Sequence, residues 1–513
     1  MAREATCDGK NNDFPAFSQS VAIGSAIENR FNLHQGLLRM SLSRFSLAMG
    51  FLLLGIIGRL ASISLADESQ KFQAGFAQVD ITPPRPTPMA GYYGKRLSTE
   101  THDPLWAKTT VLDDGKTTVA LIAVDLVSTT RWMVAETRKK VASEFKLPPE
   151  CVLISATHTH TGPVLFDPDN SRSNRFGNDS PETKQYMLEL PSRIAESVAK
   201  ALAAKQPVVV KHAIGVEKQL AFNRRFFMQD GTVGWNPGKM NPRIVREAGP
   251  TDDGLPMVAF HSREGELQGL LSNFSIHLDS VGGTQWSADM PFTLEQSLAR
   301  ALGSSCHLQY TTGCCGDVNH LDVRHSYNQK GHAEAARIGT RLAGAVLRSW
   351  NDLKATDSYR LHATRSVVRL PLATHSPARF EWAQAISEKA NDEKQPPFME
   401  MVEAFRILDV EARKGEPIEA EVQVVSLGKS IAWVSMPGEI FVQSGLAIKD
   451  GSPFELTMVN ELANGSIGYV PTRQAYSQGN YEVISARCAA GSGEMLVDSA
   501  LEQLRTHYDQ QKH

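Results

Sequence analysis

The sequence predicts an α/β fold: one large mixed domain of interleaved strands and helices, spanning about residues 72–510. Three observations carry this expectation. Apolar runs of strand length alternate with segments of helical spacing. Asp113-Asp114-Gly115 lies between two apolar runs, a strong hairpin signal. No stretch rich in Pro, Gly or Ser divides the chain into separate domains, although 513 residues would allow more than one. Hydrophobic content of 42% and charged content of 21% are those of a globular protein able to build a core. A net charge of -3 gives no basic surface for nucleic acid.

The first strand is expected over Val79–Thr82, stopped by Pro83 and Pro84. A hairpin follows, with arms Trp106–Leu112 and Thr117–Asp125. Met133, Val134, Val141 and Phe145 mark a helix over Arg131–Phe145. Val152–Ile154 reads as a buried strand. Pro181–Lys205 is helical, with Pro191 expected to kink or split it. Strands are expected over Val208–Val216, Pro256–Phe260, Leu267–His277 and Leu308–Thr311. Helices are expected over Pro291–Leu302 and His332–Trp350. Residues 359–372 and 418–436 look β-rich, with a helix from about Pro377 to Asp392 between them and a last helix over Met495–His507.

Residues 1–39 read as an unstructured or mis-assigned extension. Residues 40–66 read as a secretory signal peptide: Arg44, an apolar run from Phe45 to Gly58, and a small-residue end at Ala66. The apolar run is short for a membrane span. The protein is therefore expected to be secreted or periplasmic. Export permits disulfides, but Cys7, Cys151, Cys306, Cys314, Cys315 and Cys488 leave an odd five after cleavage. Cys306 with Cys314 or Cys315 is one open pairing. Oligomeric state is left open.

The chemistry gathers at strand ends. Val152–Ile154 runs out into Thr157-His158-Thr159-His160, then turns at Gly162-Pro163. Histidines at i and i+2 would leave a strand end on one side, and open sheets bind ligands beyond their strand ends. Leu270–Ile276 finishes in His277, Ile431–Met436 in Pro437-Gly438-Glu439, and a glycine-rich stretch presents Tyr469. Leu308–Thr312 breaks into Gly313-Cys-Cys-Gly-Asp317-Val-Asn319-His320. Two histidines, a carboxylate and an open position make a catalytic zinc site. Each residue alone has a plainer reading: a core histidine, a surface carboxylate, a packed aromatic. His320, Asp322 and His325 could hold a second metal, though a polar loop is the plainer account. Cys314 or Cys315 could in principle act as a nucleophile.

Read in order, these segments resemble the N-terminal catalytic domain of the neutral (non-lysosomal) ceramidases. The resemblance rests on Gly75–Pro84, His102–Ala107, Ser155–Pro163, Phe222–Arg224, Asn273–His277, Ser287–Asp289, Gly316–Val318, Pro437–Glu439, Tyr469–Tyr476 and Asn480–Glu482. It covers nearly the whole length after residue 72. It implies a Zn2+ held by His158, His277, Glu439 and Tyr469. It implies catalytic roles for His160, Glu439 and Tyr481, with Arg224 and Tyr476 contacting substrate. Asn319 stands in the same substrate-binding loop, where the family has a serine. The implied activity is zinc-dependent hydrolysis of a lipid amide, N-acylsphingosine to sphingosine and fatty acid, with a membrane surface as one place to meet it. A hydrolase of another amide or ester, and a non-catalytic secreted zinc-binding protein, are the alternatives. Ceramidases of this family carry a further C-terminal β-sandwich, expected to be absent here because the chain ends at His513.

Overall fold

The computed structural model describes residues 71–165, 180–303, 306–392 and 394–511. The expected extension and signal peptide lie outside these residues. No described helix is long and apolar enough to cross a membrane.

Three sheets organise the chain. The first has five strands in the order Val152–Ala156, Thr118–Val124, Trp106–Asp113, Gln73–Asp80 and Gln206–Pro207. The second has the order His307–Thr312, Leu267–Phe274, Gly254–His261, Val209–Val216 and Lys354–Ala355. The third has four strands: Leu361–Leu370, Ile418–Leu427, Ile431–Ser435 and Leu456–Asn460. Each sheet is mostly antiparallel and ends in one parallel pair. A helix connects the two strands of each such pair: Arg131–Phe145, Met290–Leu302 and Val442–Gly451. These are three βαβ units, and parallel pairing needs such a crossover.

The sheets meet in one shared core, where Phe72, Leu121 and Leu153 pack with Phe260, Leu271, Trp433 and Met458. The outer faces carry helices. Arg131–Phe145 and Pro181–Ala203 cover the first sheet, Met290–Leu302 and His332–Arg348 the second, and Val442–Gly451 and Ser492–Gln510 the third. Burial on both faces explains why strands such as Val152–Ala156 and Ile431–Ser435 read as continuous apolar runs rather than alternating ones.

Local chemistry sets the helix ends. The Thr130 side chain accepts from Met133 N at 3.1 Å, and Lys146 closes that helix in the left-handed conformation at φ 62°. Ser180 caps the next helix through Thr183 N at 3.2 Å. That helix is not split at Pro191. It runs unbroken over Pro181–Ala203, because Leu190, Ile194 and Val198 are all buried against the first sheet.

Two further expectations are corrected. The first strand is Gln73–Asp80, earlier and longer than expected, paired with Trp106–Asp113 from Gln73↔Asp113 to Asp80↔Trp106. Its Gly and Ala residues hid the pattern. Between Leu361–Leu370 and Ile418–Leu427, which are direct antiparallel partners, the chain forms two helices and not one: Pro377–Glu388 and Phe398–Glu411. Pro396-Pro397 masked the start of the second. This helical hairpin has its own small core of Ala383, Ala404, Ile407 and Leu408 with Phe380, Trp382 and Ile386.

Candidate active site

The segments that follow the parallel strands converge. Val152–Ala156 leads to His158 and His160, Leu267–Phe274 to His277, His307–Thr312 to Gly316, and Ile431–Ser435 to Glu439. Glu439 then pairs in parallel register with Tyr469. Ligand-capable atoms of His158, His160 and His277 all lie within 4.8 Å of one another. His158 Nε2 is 3.0 Å from His277 Nε2, and His160 Nε2 is 3.1 Å from the same atom. Glu439 Oε2 lies 3.7 Å from His158 Nε2 and has no hydrogen-bond partner among the described residues.

Strand alternation is not what aligns His158 with His160. The strand ends at Ala156, and His158 itself sits at φ 74°. Backbone bonds from Thr157 N to Val124 O and from His158 N to Leu126 O hold this turn, each at 2.9 Å. Close approaches shape the rest. A Cβ on Gly91 would come within 2.7 Å of His160, and φ there is 102°. A Cβ on Gly316 would meet the Glu439 carbonyl oxygen at 2.4 Å, so only glycine lets that loop reach the Pro-Gly-Glu turn.

The donor set fits a zinc ion. His158 Nδ1 donates to the Val127 carbonyl at 2.6 Å, and His277 is hydrogen-bonded to the backbone of Cys315. A histidine whose Nδ1 is committed to a carbonyl offers a bare Nε2, the usual arrangement around a metal. Two bare nitrogens at 3.0 Å repel unless a cation lies between them. Neighbouring ligands of a tetrahedral zinc stand about 3.3 Å apart, given bonds of about 2.0 Å. The orphaned Glu439 Oε2 supplies a carboxylate beside them.

Burial keeps all three imidazoles neutral. It lowers His158 and drives His277 well below the usual range. It takes His160 down to about 3, against the opposing pull of Asp279. Burial also raises the Tyr469 phenol, with Glu439 adding to it, and raises Tyr481, with Tyr93 and Glu439 adding.

Arg224 braces this wall. It donates to Glu482 at 2.9 Å, to the Gly316 carbonyl at 2.7 Å and to the Tyr469 hydroxyl at 3.1 Å. Burial works against its charge, but Tyr469 and Glu482 hold its pKa well above the usual arginine range. Arg225 shares Glu482 at 2.8 Å.

The cluster opens on a cavity of 790 Å³, within the size range of ligand sites. His158, His160, Glu439, Tyr469 and Tyr481 line it. Arg224, Tyr476 and Asn319 do not. The Tyr476 hydroxyl donates to the Cys488 carbonyl at 2.6 Å. The Asn319 amide donates to Asn236 Oδ1 at 3.0 Å, on a short strand paired with Phe222.

The other open readings resolve locally. Cys151, Cys306, Cys314, Cys315 and Cys488 are all free thiols. Burial raises the Cys314 and Cys315 pKa well above the usual thiol range, and Cys315 Sγ donates to Glu461 at 2.9 Å, so neither is poised as a nucleophile. His320 Nε2 bonds the Gln329 carbonyl at 2.8 Å, and Arg324 holds Asp322 through both its oxygens. That loop is a polar turn.

Sequence reasoning missed three parts. Tyr92 and Tyr93 line the cavity beside Gly91. Asp279 bonds the Tyr92 hydroxyl and lies 3.7 Å from His160 Nδ1, too far for a hydrogen bond. Glu461, fully buried, accepts from Cys315 N and Ile440 N at 3.0 Å each and ties the glycine-rich loop to the Glu439 turn. The Gly-Tyr-Tyr-Gly run and a carboxylate in the apolar run Met458–Ala463 were the available signals.

No protein-family model matches this chain, and no curated protein does. Solved structures do. Neutral ceramidase from Pseudomonas aeruginosa superposes with a TM-score of 0.67 at 17% identity, over 86% of this chain and 75% of that one. A ceramidase complexed with C2 gives 0.65 at 16%, over 86% and 76%. The chain has the neutral ceramidase fold. Identities this low establish architecture and leave activity to the site. Within that fold, the histidine cluster lies where the βαβ units of all three sheets point.

Proposed function

We propose that the protein is a zinc-dependent hydrolase of a linear acyl amide, ceramidase-like in chemistry. One observation carries this reading: two imidazole nitrogens face each other bare at 3.0 Å beside an orphaned carboxylate oxygen, at the end of a substrate-sized cavity. His158, His277, Glu439 and Tyr469 would hold the ion. When bound, zinc supplies a Lewis acid and an acidified water.

The chain's own residues do the rest. His160 is neutral and faces the cluster, so its Nε2 can accept a proton and return it to the leaving amine. Tyr481 stays protonated at the cavity wall, so its hydroxyl can donate to the developing oxyanion. Arg224 fixes Tyr469 from behind. Glu439 would hold the ion through Oε2 and could relay a proton on its other carboxylate oxygen. Asn319 points its amide at Asn236, and an acidified water as nucleophile would leave no need for a hydroxyl at that position.

N-acylsphingosine is the first substrate to test, because the structural neighbours are ceramidases. The missing family serine makes other lipid amides and esters the second class. The experiment is metal analysis of purified protein, with hydrolysis of a panel of acyl amides and esters before and after chelation. One zinc per chain and amide cleavage lost on chelation are expected. Full cleavage by metal-free protein would overturn the reading.

A further inference from the structure

The far wall of the cavity is the inserted hairpin's second helix. Val402, Phe405, Arg406 and Asp409 line it at helical spacing, and Arg413 continues the face. Most charges on this wall are already answered. Asp409 Oδ2 takes two bonds from Arg487, at 2.9 and 2.7 Å. Glu419 is bonded by Arg131 at 3.1 Å.

Arg406 is different. Its side chain is 13% exposed, and among the described residues its Nε has no hydrogen-bond partner. The nearest carboxylate, Glu403, lies 4.0 Å away and is already held by Arg379 through both oxygens, at 3.2 and 2.6 Å. Burial, acting first, lowers the Arg406 pKa, as happens when a charge is desolvated without a close counterion. Guanidinium carries five donors in a planar fork, and a buried one is normally satisfied. Here the side chain lines a cavity whose other surfaces include Val164, Leu165, Phe405 and Ile467. An amphiphile with an apolar chain and a planar or tetrahedral anion fits both features.

We propose that Arg406 is an anion-binding subsite of the substrate cavity, so that the preferred acyl amide carries a carboxylate, sulfonate or phosphate. The substrate class rests on the hydrolase reading above; the subsite itself does not. Arg406 is a specificity residue on an inserted hairpin, remote in sequence from every residue of the histidine cluster. The hairpin's separate small core allows Arg406 to change without disturbing the three sheets.

The test uses full-length protein and three dodecanoyl compounds: a neutral N-(2-hydroxyethyl) amide, an amide with a carboxylate on the amine side, and one with a carboxylate at the acyl end. Ketone isosteres, with CH2 in place of the amide NH, measure binding without cleavage. At least one anionic isostere is expected to bind about ten- to a hundredfold tighter than the neutral one, the range for a charge-assisted bond. Arg406→Met should bring that ratio to about one. Arg406→Lys, which keeps the charge and loses the fork, should fall between and serves if the methionine variant does not fold. Equal binding of all three by the wild type, or a preference that survives both variants, overturns the subsite. Tight anionic binding with no cleavage of any amide would keep the subsite and defeat the hydrolase reading.

Discussion

Among the described residues two histidine clusters could hold a metal, and their difference is instructive. His158, His160 and His277 form one; His102, Asp103 and His332 form the other. In the first, Nε2 atoms face one another with their Nδ1 sides pinned or idle, and the nearby Glu439 Oε2 has no partner. In the second, the two rings stack face to face, centroids 3.6 Å apart and 10° from parallel. Asp103 is committed three times: to His102 Nδ1 at 2.7 Å, Ser287 Oγ at 2.6 Å and Ala288 N at 2.7 Å. His332 Nε2 meets Gln285 at 3.2 Å. The second cluster is a satisfied clasp between the 102 loop and the 287 turn. The presence of histidines near a carboxylate does not distinguish the two clusters. Unmet donors and acceptors do.

Removing a proposed ligand from the first cluster should have the largest effect. His158→Ala is expected to lose zinc and essentially all amide cleavage while keeping its circular dichroism spectrum, because the side chain lies at a loop and not in the shared core. Full zinc occupancy in this variant, by elemental analysis, would erase the distinction between the clusters.

Next is His160→Gln. It should cost about 10²–10³ in turnover with zinc retained, the usual loss for one proton-transfer or oxyanion group. Zinc and turnover measured on one preparation decide it. Lost zinc makes His160 a ligand, and unchanged turnover makes it a bystander.

The clasp should respond in stability and not in metal content. Asp103→Ala leaves a buried hydroxyl and a buried amide without their acceptor, so about 1–3 kcal/mol of stability is expected to go. Zinc should stay at one per chain. Denaturant midpoints read the first quantity and elemental analysis the second. The smallest effect is His332→Ala, which removes one half-exposed stacking partner. A change within about 1 kcal/mol is expected, and a drop in zinc there would show that the clasp is a metal site after all.

A fifth expectation concerns pH. Burial, opposed by Lys108, pushes the Asp125 carboxyl up to about 7. Its unfolded value is about 3.9. The folded form therefore holds the proton more tightly, and its contribution to stability declines as pH rises from about 4 through 7. Asp125→Asn should flatten that part of the stability profile, read from chemical denaturation at several pH values.

Much of this was legible in the residues. Hairpin chemistry at Asp113-Asp114-Gly115, helical spacing over 131–145 and the apolar runs at 152 and 431 each specify a local element. Their order along the chain carries the α/β class and the family resemblance. His158, His160, His277 and Glu439 follow apolar runs and Tyr469 sits in a glycine-rich stretch, but only the family resemblance joined them; His158, His160, Glu439 and Tyr469 line one cavity, with His277 against His158 and His160. Local elements can be read this way because backbone propensity and side-chain periodicity act over a few residues.

The rest depends on distance through space. Glu461 lies in an apolar run, and only the fold brings it to Cys315 and Ile440. Pro191 looks like a break, and only packing on the first sheet carries the helix through it. His158 and His160 share a face because of a positive φ that no strand period foretells. Both clusters set histidines beside a carboxylate, Glu439 in one and Asp103 in the other, yet one presents facing nitrogens and the other a set of committed bonds. Which polar groups find partners is decided when distant segments meet. Tertiary structure alone therefore separates a site from a clasp.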